Sequence, residues 1–407
     1  MAADATTALR RRLMRAERRA RWRAFALVAP LLGFLAFTFA VPLASMLWRA
    51  VADPELGAAL PRTAALLRAW NGAGMPSDTV FAAATEELAR AAQDKAAGLL
   101  AKRLNYEEPG YRTLILKTAN RLSPPFAQGP RAAMEAIDPR WGERAIWLAM
   151  RRAAAPVTGF YLLAALDLQQ GEQGVVAVPA ERAIFRIVLG RTLGIAAATT
   201  VACLAMGFPV ALLLARAPPR RAGLLMLLVL LPFWTPLLVR IAAWIVLLQE
   251  HGVINDTLTG LGLTGQPLPL LYSRSAVLIA MTHVLLPYMI LPLYSVMRSI
   301  PPVYLRAAAS LGAPPFAAFR RVFLPQCLPG IAAGSLLVFI LAIGYYITPA
   351  LVGGAADQMI SSQIAFYTIG TANWGMAAAL SAVLLAATLI LYAAYARLAG
   401  TGGLRLG

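Results

Sequence analysis

Charged side chains vanish from long stretches of this chain, and the spacing of those stretches predicts its architecture. Residues 24–48, 192–215, 275–297, 328–351 and 374–396 carry no charge, and 222–248 is interrupted only by Arg240. A run of about 23 residues makes a helix about 34 Å long, enough to cross a hydrocarbon core of about 30 Å. Only helices and closed barrels satisfy their backbone in lipid, and these runs lack the alternation of barrel strands. The pattern predicts six transmembrane helices.

Between the first and second runs the pattern changes. Residues 53–182 hold 14 of the 19 acids and every lysine, so the block is close to neutral. Amphipathic helical periods run through SDTVFAAATEELARAAQDKAAGLLAKRL from Ser77, with Ser77 or Asp78 set to cap the first turn. Further helices are expected over 111–122, 130–137, 140–152 and 159–168, with Pro124-Pro125 and Pro156 as breaks. This block reads as a folded helical insert; a disordered linker would show fewer apolar residues and more net charge.

Composition agrees with membrane residence: 59% of residues are hydrophobic and only 14% charged. The net charge of +18 changes the picture through its placement. Arg10, Arg11, Arg12, Arg15, Arg18, Arg19, Arg21 and Arg23 precede or open the first run. Arg216, Arg220 and Arg221 follow the second, Arg298, Arg306, Arg320 and Arg321 follow the fourth, and Arg397 and Arg405 follow the sixth. In the alternate loops Arg274 faces Glu250 and Asp256, and Asp357 stands alone. The positive-inside rule puts both termini in the cytoplasm and the insert outside. The N-terminal arginines read as a topology anchor on anionic lipid, not as a nucleic-acid arm. Ala50-Val51-Ala52 imitates a signal-peptidase site, but the apolar run before it exceeds a signal peptide's, so the first helix is expected to be retained.

Several chemistries find no support. Cys203 and Cys327 both fall in apolar runs, and the insert has no cysteine. His251 and His283 are too far apart for a zinc-protease pair, and His283 reads as a neutral helix–helix hydrogen bonder. No GxSxG motif is present, and Lys95, Lys102 and Lys117 lie outside any phosphate-cradling loop. No catalytic or metal-binding residue is expected. The six runs contain no Asp or Glu, which ion-coupled carriers place inside the bilayer. Energy for transport must come from outside the polypeptide, or the protein is a passive pore.

One segment breaks the greasy pattern with structure of its own: LRAAASLGAPPFAAFRRVFLP, from Leu305. It predicts a short helix over 304–311 with Val303, Ala307 and Leu311 on one face, stopped at Gly312 by a left-handed turn. Pro314-Pro315 restarts the chain. Phe316, Phe319, Val322 and Phe323 should share a face, with Arg320 and Arg321 pointing elsewhere. Such a unit suits a partner's groove; an amphipathic loop lying on lipid is the other reading.

Ala307-Ala308-x3-Gly312-x9-Val322-x-Leu324-Pro325 resembles the EAA loop (Glu-Ala-Ala-x3-Gly-x9-Ile-x-Leu-Pro) of ABC importer permeases. LLPFWTPLLVRIAAWIVLLQEHGVIN from Leu230, HVLLPYMILPLY from His283 and GYYITPALVGG from Gly344 resemble the spermidine/putrescine-type branch. The resemblance covers 191–398 and the first span. It implies an all-α, six-helix type I importer permease, to which the 53–182 block adds a helical extracytoplasmic insert between the first two helices. The divisions expected are a cytoplasmic Arg-rich tail (1–23), the first span (24–48), the insert (50–186), the permease core (187–398, coupling loop 298–326) and a cytoplasmic tail (399–407).

The resemblance also implies a bacterial inner membrane location and several partners: two ABC ATPase subunits, a second permease and an extracytoplasmic solute-binding protein. ATP and magnesium would reside on the ATPase, leaving this chain without a cofactor and without catalysis. Coupling would pass through Arg306, Ala307, Ala308, Gly312, Ala313, Pro314, Phe316, Phe319, Val322, Leu324 and Pro325. Two departures stand out: Arg306 occupies the motif's glutamate position, and the insert is far longer than the usual loop. The branch implies putrescine- or spermidine-like cargo. Trp234, Trp244, Tyr288, Tyr345 and Tyr346 are candidates for a path by cation–π contact, or else packing residues. Pro232, Pro236, Pro287 and Pro292 either open backbone groups to that path or only shape packing. Arg240 would repel a cation if it lined the path; backbone carbonyls or Glu250 are its alternative partners. A passive channel and a secondary carrier remain the competing classes.

Overall fold

The computed structural model describes residue 18 and residues 21–94, 96–122, 129–171 and 174–400, with side chains to 397. The Pro124-Pro125 break, most of the N-terminal arginines and the C-terminal tail lie outside these residues. The chain divides into two compact units, Met1–Gly159 and Phe160–Gly407.

In the first unit, α1 (Arg21–Arg49) is one of six helices long and apolar enough to cross a membrane. Seven short helices follow: α2 (Glu55–Ala59), α3 (Pro61–Ala69), α4 (Asp78–Gln93), α5 (Ala97–Asn105), α6 (Tyr111–Arg121), α7 (Pro130–Ile137) and α8 (Arg144–Ala153). The period read from Ser77 thus forms two helices, broken at Asp94, and Ser77 makes no capping bond. Its hydroxyl instead meets Thr79 Oγ1 at 2.6 Å.

The aromatic pair Trp141 and Trp147 fills the core, Trp147 packing edge-on against Phe81 with 4.5 Å between centroids. Both indoles are satisfied: Trp141 Nε1 donates to Thr118 Oγ1 (2.8 Å) and Trp147 Nε1 to the Trp141 carbonyl (3.0 Å). Buried charges are paired as well. Glu87 accepts from the Arg62 and Thr63 amides and the Thr63 hydroxyl at 2.7–2.9 Å, placing a carboxylate at the start of α3. Arg103 grips Asp53 through Nε (2.8 Å) and a terminal nitrogen (2.6 Å), and Glu107 bridges Arg103 to Arg152. The chain enters and leaves this unit side by side: Asp53 N donates to Pro156 O, and Thr158 N to Val51 O.

The second unit opens with α9 (Phe160–Ala165) and a two-stranded hairpin, β1 (Leu168–Gly171) and β2 (Gly174–Ala177), paired Leu168 with Ala177. The helix expected over 159–168 stops early because Asp167 takes a positive φ of 54°. Its carboxylate accepts the Ile184, Phe185 and Arg186 amides at 2.7–3.1 Å and so caps the next helix.

That helix, α10 (Phe185–Arg216), packs with α14 (Arg274–Ser299) and with the long helix α16 (Pro315–Gly344). Between them come α11 (Pro219–Leu230), α12 (Leu237–Leu248), α13 (Val253–Gly260) and, after α14, α15 (Val303–Ser310). The chain ends with α17 (Ile347–Val352), α18 (Ile360–Ala365) and α19 (Trp374–Gly400). Small residues let the central helices close up. A side chain at Gly207 would meet Met289 at 3.1 Å, one at Gly330 the Pro292 carbonyl at 3.2 Å, and one at Gly334 the Met289 sulfur at 2.8 Å.

Two spans differ from the sequence expectation. The run 222–248 is not one helix: α11 ends at Leu230, a 3-10 turn covers Leu231–Trp234, and Thr235 is extended before α12. Pro232 and Pro236 lack amide protons, and Pro236 biases Thr235 away from helix, whereas Leu231 before Pro232 stays helical. The membrane-length stretch is instead Leu237–Gly260, which crosses a turn at 249–252 and takes in the exposed acids Glu250 and Asp256. The fifth span begins at Pro315, not 328, and ends at Gly344. A wider π-turn over Phe319–Phe323, where Leu324 N reaches back five residues to Phe319 O, carries the helix into Pro325.

Candidate functional site

The segment 303–325 takes its shape from local rules. α15 ends in two bonds around Gly312: Gly312 N donates to Ala309 O (2.9 Å) and Ala313 N to Ala308 O (3.0 Å). This is a Schellman stop, and it requires the left-handed φ of +82° that Gly312 adopts. Pro314 is extended and Pro315 opens α16. The second alanine of the motif, Ala308, and the following Ala309 supply the carbonyls of the stop, and the motif's glycine supplies the geometry.

The exposed residues of the segment are apolar apart from Ser310 and three arginines, Arg306, Arg320 and Arg321. Leu311 is 88% exposed and Phe316 74%; Val303, Tyr304, Arg306 and Ala307 are also exposed. Ala308 and Ala313 are half-buried, Pro314 and Pro325 exposed, and Leu324 half-buried. The expected common face of four residues does not form. Phe316 points out, Phe319 and Val322 are half-buried, and Phe323 is buried. The π-turn shifts the spacing, so Phe319 meets Phe208 of α10 at 6.2 Å and stacks on Phe323, over which the Arg216 guanidinium lies at 5.5 Å. Phe319 and Phe323 thus fasten the segment to the spans and leave Leu311 and Phe316 exposed. Nothing in the sequence marked Phe208 or Arg216 for this role. Behind α15 a cavity of about 610 Å³ is lined by Arg216, Arg298, Leu305 and Phe323, among others.

A second cluster lies among the spans. Trp244 Nε1 of α12 donates to His283 Nδ1 of α14 at 3.0 Å, the helix–helix bond expected of His283. Trp244, Tyr288 and Tyr345 pack against the same apolar core, and Arg240 lies within electrostatic reach of His283 and Tyr345. Tyr288 packs edge-on against Phe233 at 5.0 Å. Four of the six path candidates, Arg240, Trp244, Tyr288 and Tyr345, are thus brought together, with His283 added. Trp234 (78% exposed) and Tyr346 (41% exposed) stay apart from it. Arg240 stands one turn past the proline break. Its Nε is buried, and it bonds neither Glu250 nor any carbonyl among the described residues. A mostly apolar cavity of about 360 Å³ adjoins His283, lined by Leu213, Leu228, Pro232 and Pro287 among others. Arg274, which the sequence set opposite Glu250 and Asp256, instead binds Asp357 at 3.0 Å.

Comparison with known proteins places this architecture. Residues 207–400 match the family model described as binding-protein-dependent transport system inner membrane component. The spermidine/putrescine transport system permease protein PotB of Escherichia coli K12 is 37% identical over 197 residues, covering 48% of this chain and 72% of that protein. PotB of Haemophilus influenzae is 36% identical over 212 residues, covering 51% of this chain and 74% of that protein. Among solved structures, a chain of a bacterial alginate ABC transporter in complex with its periplasmic protein has a TM-score of 0.45 and 17% identity, covering 53% of this chain and 78% of that one. With this identity and coverage, the chain belongs to the family of binding-protein-dependent transport system inner membrane components: it is an ABC importer permease subunit of the spermidine/putrescine-like branch.

Proposed function

We propose that this permease imports a small organic solute, polyamine-like in character, and takes its driving force from a separate ATPase through the segment 303–325. The Schellman stop at Gly312 carries the reading, because it presents Leu311 and Phe316 to the aqueous side on a backbone that cannot flex freely. One ATPase of a pair receives this segment, and closure of the pair on ATP tilts α16, with which the segment is continuous. A companion permease supplies the other half of the path, and an extracytoplasmic solute-binding protein delivers the cargo. Both termini lie in the cytoplasm by arginine placement, so the helical insert faces the binding protein or the companion.

Identity to PotB over the permease core supports polyamine-type cargo. The aromatic cluster of Trp244, Tyr288 and Tyr345 supplies faces for an organic ammonium. Arg306, exposed where the family motif has glutamate, calls for an acid on the ATPase groove, since a desolvated, unpaired guanidinium is costly.

The test is Gly312→Trp in the assembled importer. The left-handed backbone disfavours any side chain although the space around it is open. Expression should be retained and ATP-dependent uptake abolished. Uptake by the purified chain in liposomes, without nucleotide or partners, would instead favour a channel or carrier.

A further inference from the structure

Among the described residues Arg240 has no counter-charge, and its Nε is buried without a partner. It lies at the end of the first turn of α12, where the helix dipole is already positive, so the fold adds to the cost of its charge there. The groups that feel it, His283 and Tyr345, bring no negative charge: His283 Nδ1 is committed to Trp244, and Tyr345 is a phenol. The described acids of this unit are accounted for elsewhere. Asp167 caps α10, Asp357 binds Arg274, and Glu181, Glu250 and Asp256 are exposed. The neighbouring turn is uncovered by this chain, with Leu238 60% and Val239 58% exposed. Ionisable side chains within membrane spans face a partner or water.

We propose that Arg240 is an ion-pair site for a carboxylate on a membrane span of the companion permease. A resident acid fits better than a carboxylate on the cargo, because cargo would leave the guanidinium unpaired through every resting phase of the cycle. A second copy of this chain is less suited to supply it: its α1, α10, α12, α14, α16 and α19 contain no Asp or Glu, and Glu250 and Asp256 lie beyond the turn at 249–252, ten or more residues from position 240. The pair offsets a cost that neither subunit offsets alone, and it fixes the register of the broken third span against its neighbour. It also removes the repulsion that a free Arg240 would exert on a cationic cargo passing Tyr288 and Tyr345. This inference rests on the proposed pairing of two permeases.

The test uses the complete importer in nanodiscs, captured through a tag on this chain, with recovered companion as the readout. Arg240→Asp should lower that recovery about tenfold, and Arg240→Lys should keep at least about half of it. In the Arg240→Asp background, each intramembrane Asp or Glu of the companion is replaced in turn by Arg. One such reversal should restore recovery to within about twofold of wild type. An unchanged size-exclusion profile of each variant alone separates misfolding from lost pairing. Wild-type recovery with both Arg240→Asp and Arg240→Gln, or no reversal that restores, overturns the inference. So does a change confined to the apparent affinity for cargo, which would assign the carboxylate to the cargo. A wild-type chain that captures no companion at all would refute the pairing itself.

Discussion

Arg103 is a charge buried in the insert and Arg240 a half-buried charge among the spans, and the chain treats them oppositely. Arg103, in the insert, is 1% exposed and is held bidentately by Asp53 with Glu107 beside it. Arg240, among the spans, has its Nε buried and no acid among the described residues bound to it. The insert pairs its buried charges internally, with Glu87 and Asp138 also partnered, although the atoms Arg103 Nη1 and Glu55 Oε2 are buried without a hydrogen-bond partner among the described residues. The membrane unit leaves a charge and an apolar surface open. A unit that folds as a module completes itself, whereas a unit that works as half of an assembly is finished by its partners.

The largest effect expected from breaking this contrast is at Arg103. Arg103→Met strands Asp53 in the core and should destabilise the insert by about 3–5 kcal/mol, read as loss of its cooperative unfolding or as protease cleavage within 53–158. A wild-type melting profile would show that the buried pair holds nothing together. Arg240→Met should do the reverse to the isolated chain in detergent: its unfolding midpoint should stay unchanged or rise, since the variant removes an uncompensated charge. A fall there would mean that Arg240 has a partner within the chain.

The smallest effect belongs to Asp138, which the Arg140 guanidinium holds down to about 2 from its ordinary 3.8. A lowered folded value stabilises the protein above the unfolded value and loses that stability as pH falls. The insert should therefore weaken between pH 4 and pH 2, as these two values define the window. Asp138→Asn should flatten that part of the pH–stability curve and lower stability at neutral pH.

Much of the fold was legible in the sequence, because charge-free runs and the Gly312 stop are governed by local rules. Helices α6 and α7 fell within a residue of their predicted bounds for the same reason. What the sequence hid depended on context. Pro232 and Pro236 break the third span while Pro287 and Pro292 sit inside an unbroken α14. The α14 window is 61% buried between its neighbours against 17% for the Leu237–Gly260 span, and packing holds a helix through proline where exposure does not. The π-turn at Phe319–Phe323 moved two phenylalanines from the expected docking face into the core, a shift that a strict 3.6 period cannot show. The β-hairpin was missed because Asp167 turns left-handed to cap a helix many residues downstream. The convergence of Arg240, Trp244, His283 and Tyr345 joins three separate stretches of chain, which no local pattern reveals.

The central claim is that the turn after α15 touches the ATPase. Cys203 and Cys327 are both buried, so Ala313→Cys introduces one accessible thiol beside the stop. A short bifunctional cross-linker should join it to the ATPase subunit in membranes, and nucleotide should change the yield. A thiol that labels freely yet never cross-links to the ATPase, with or without ATP, would contradict the account.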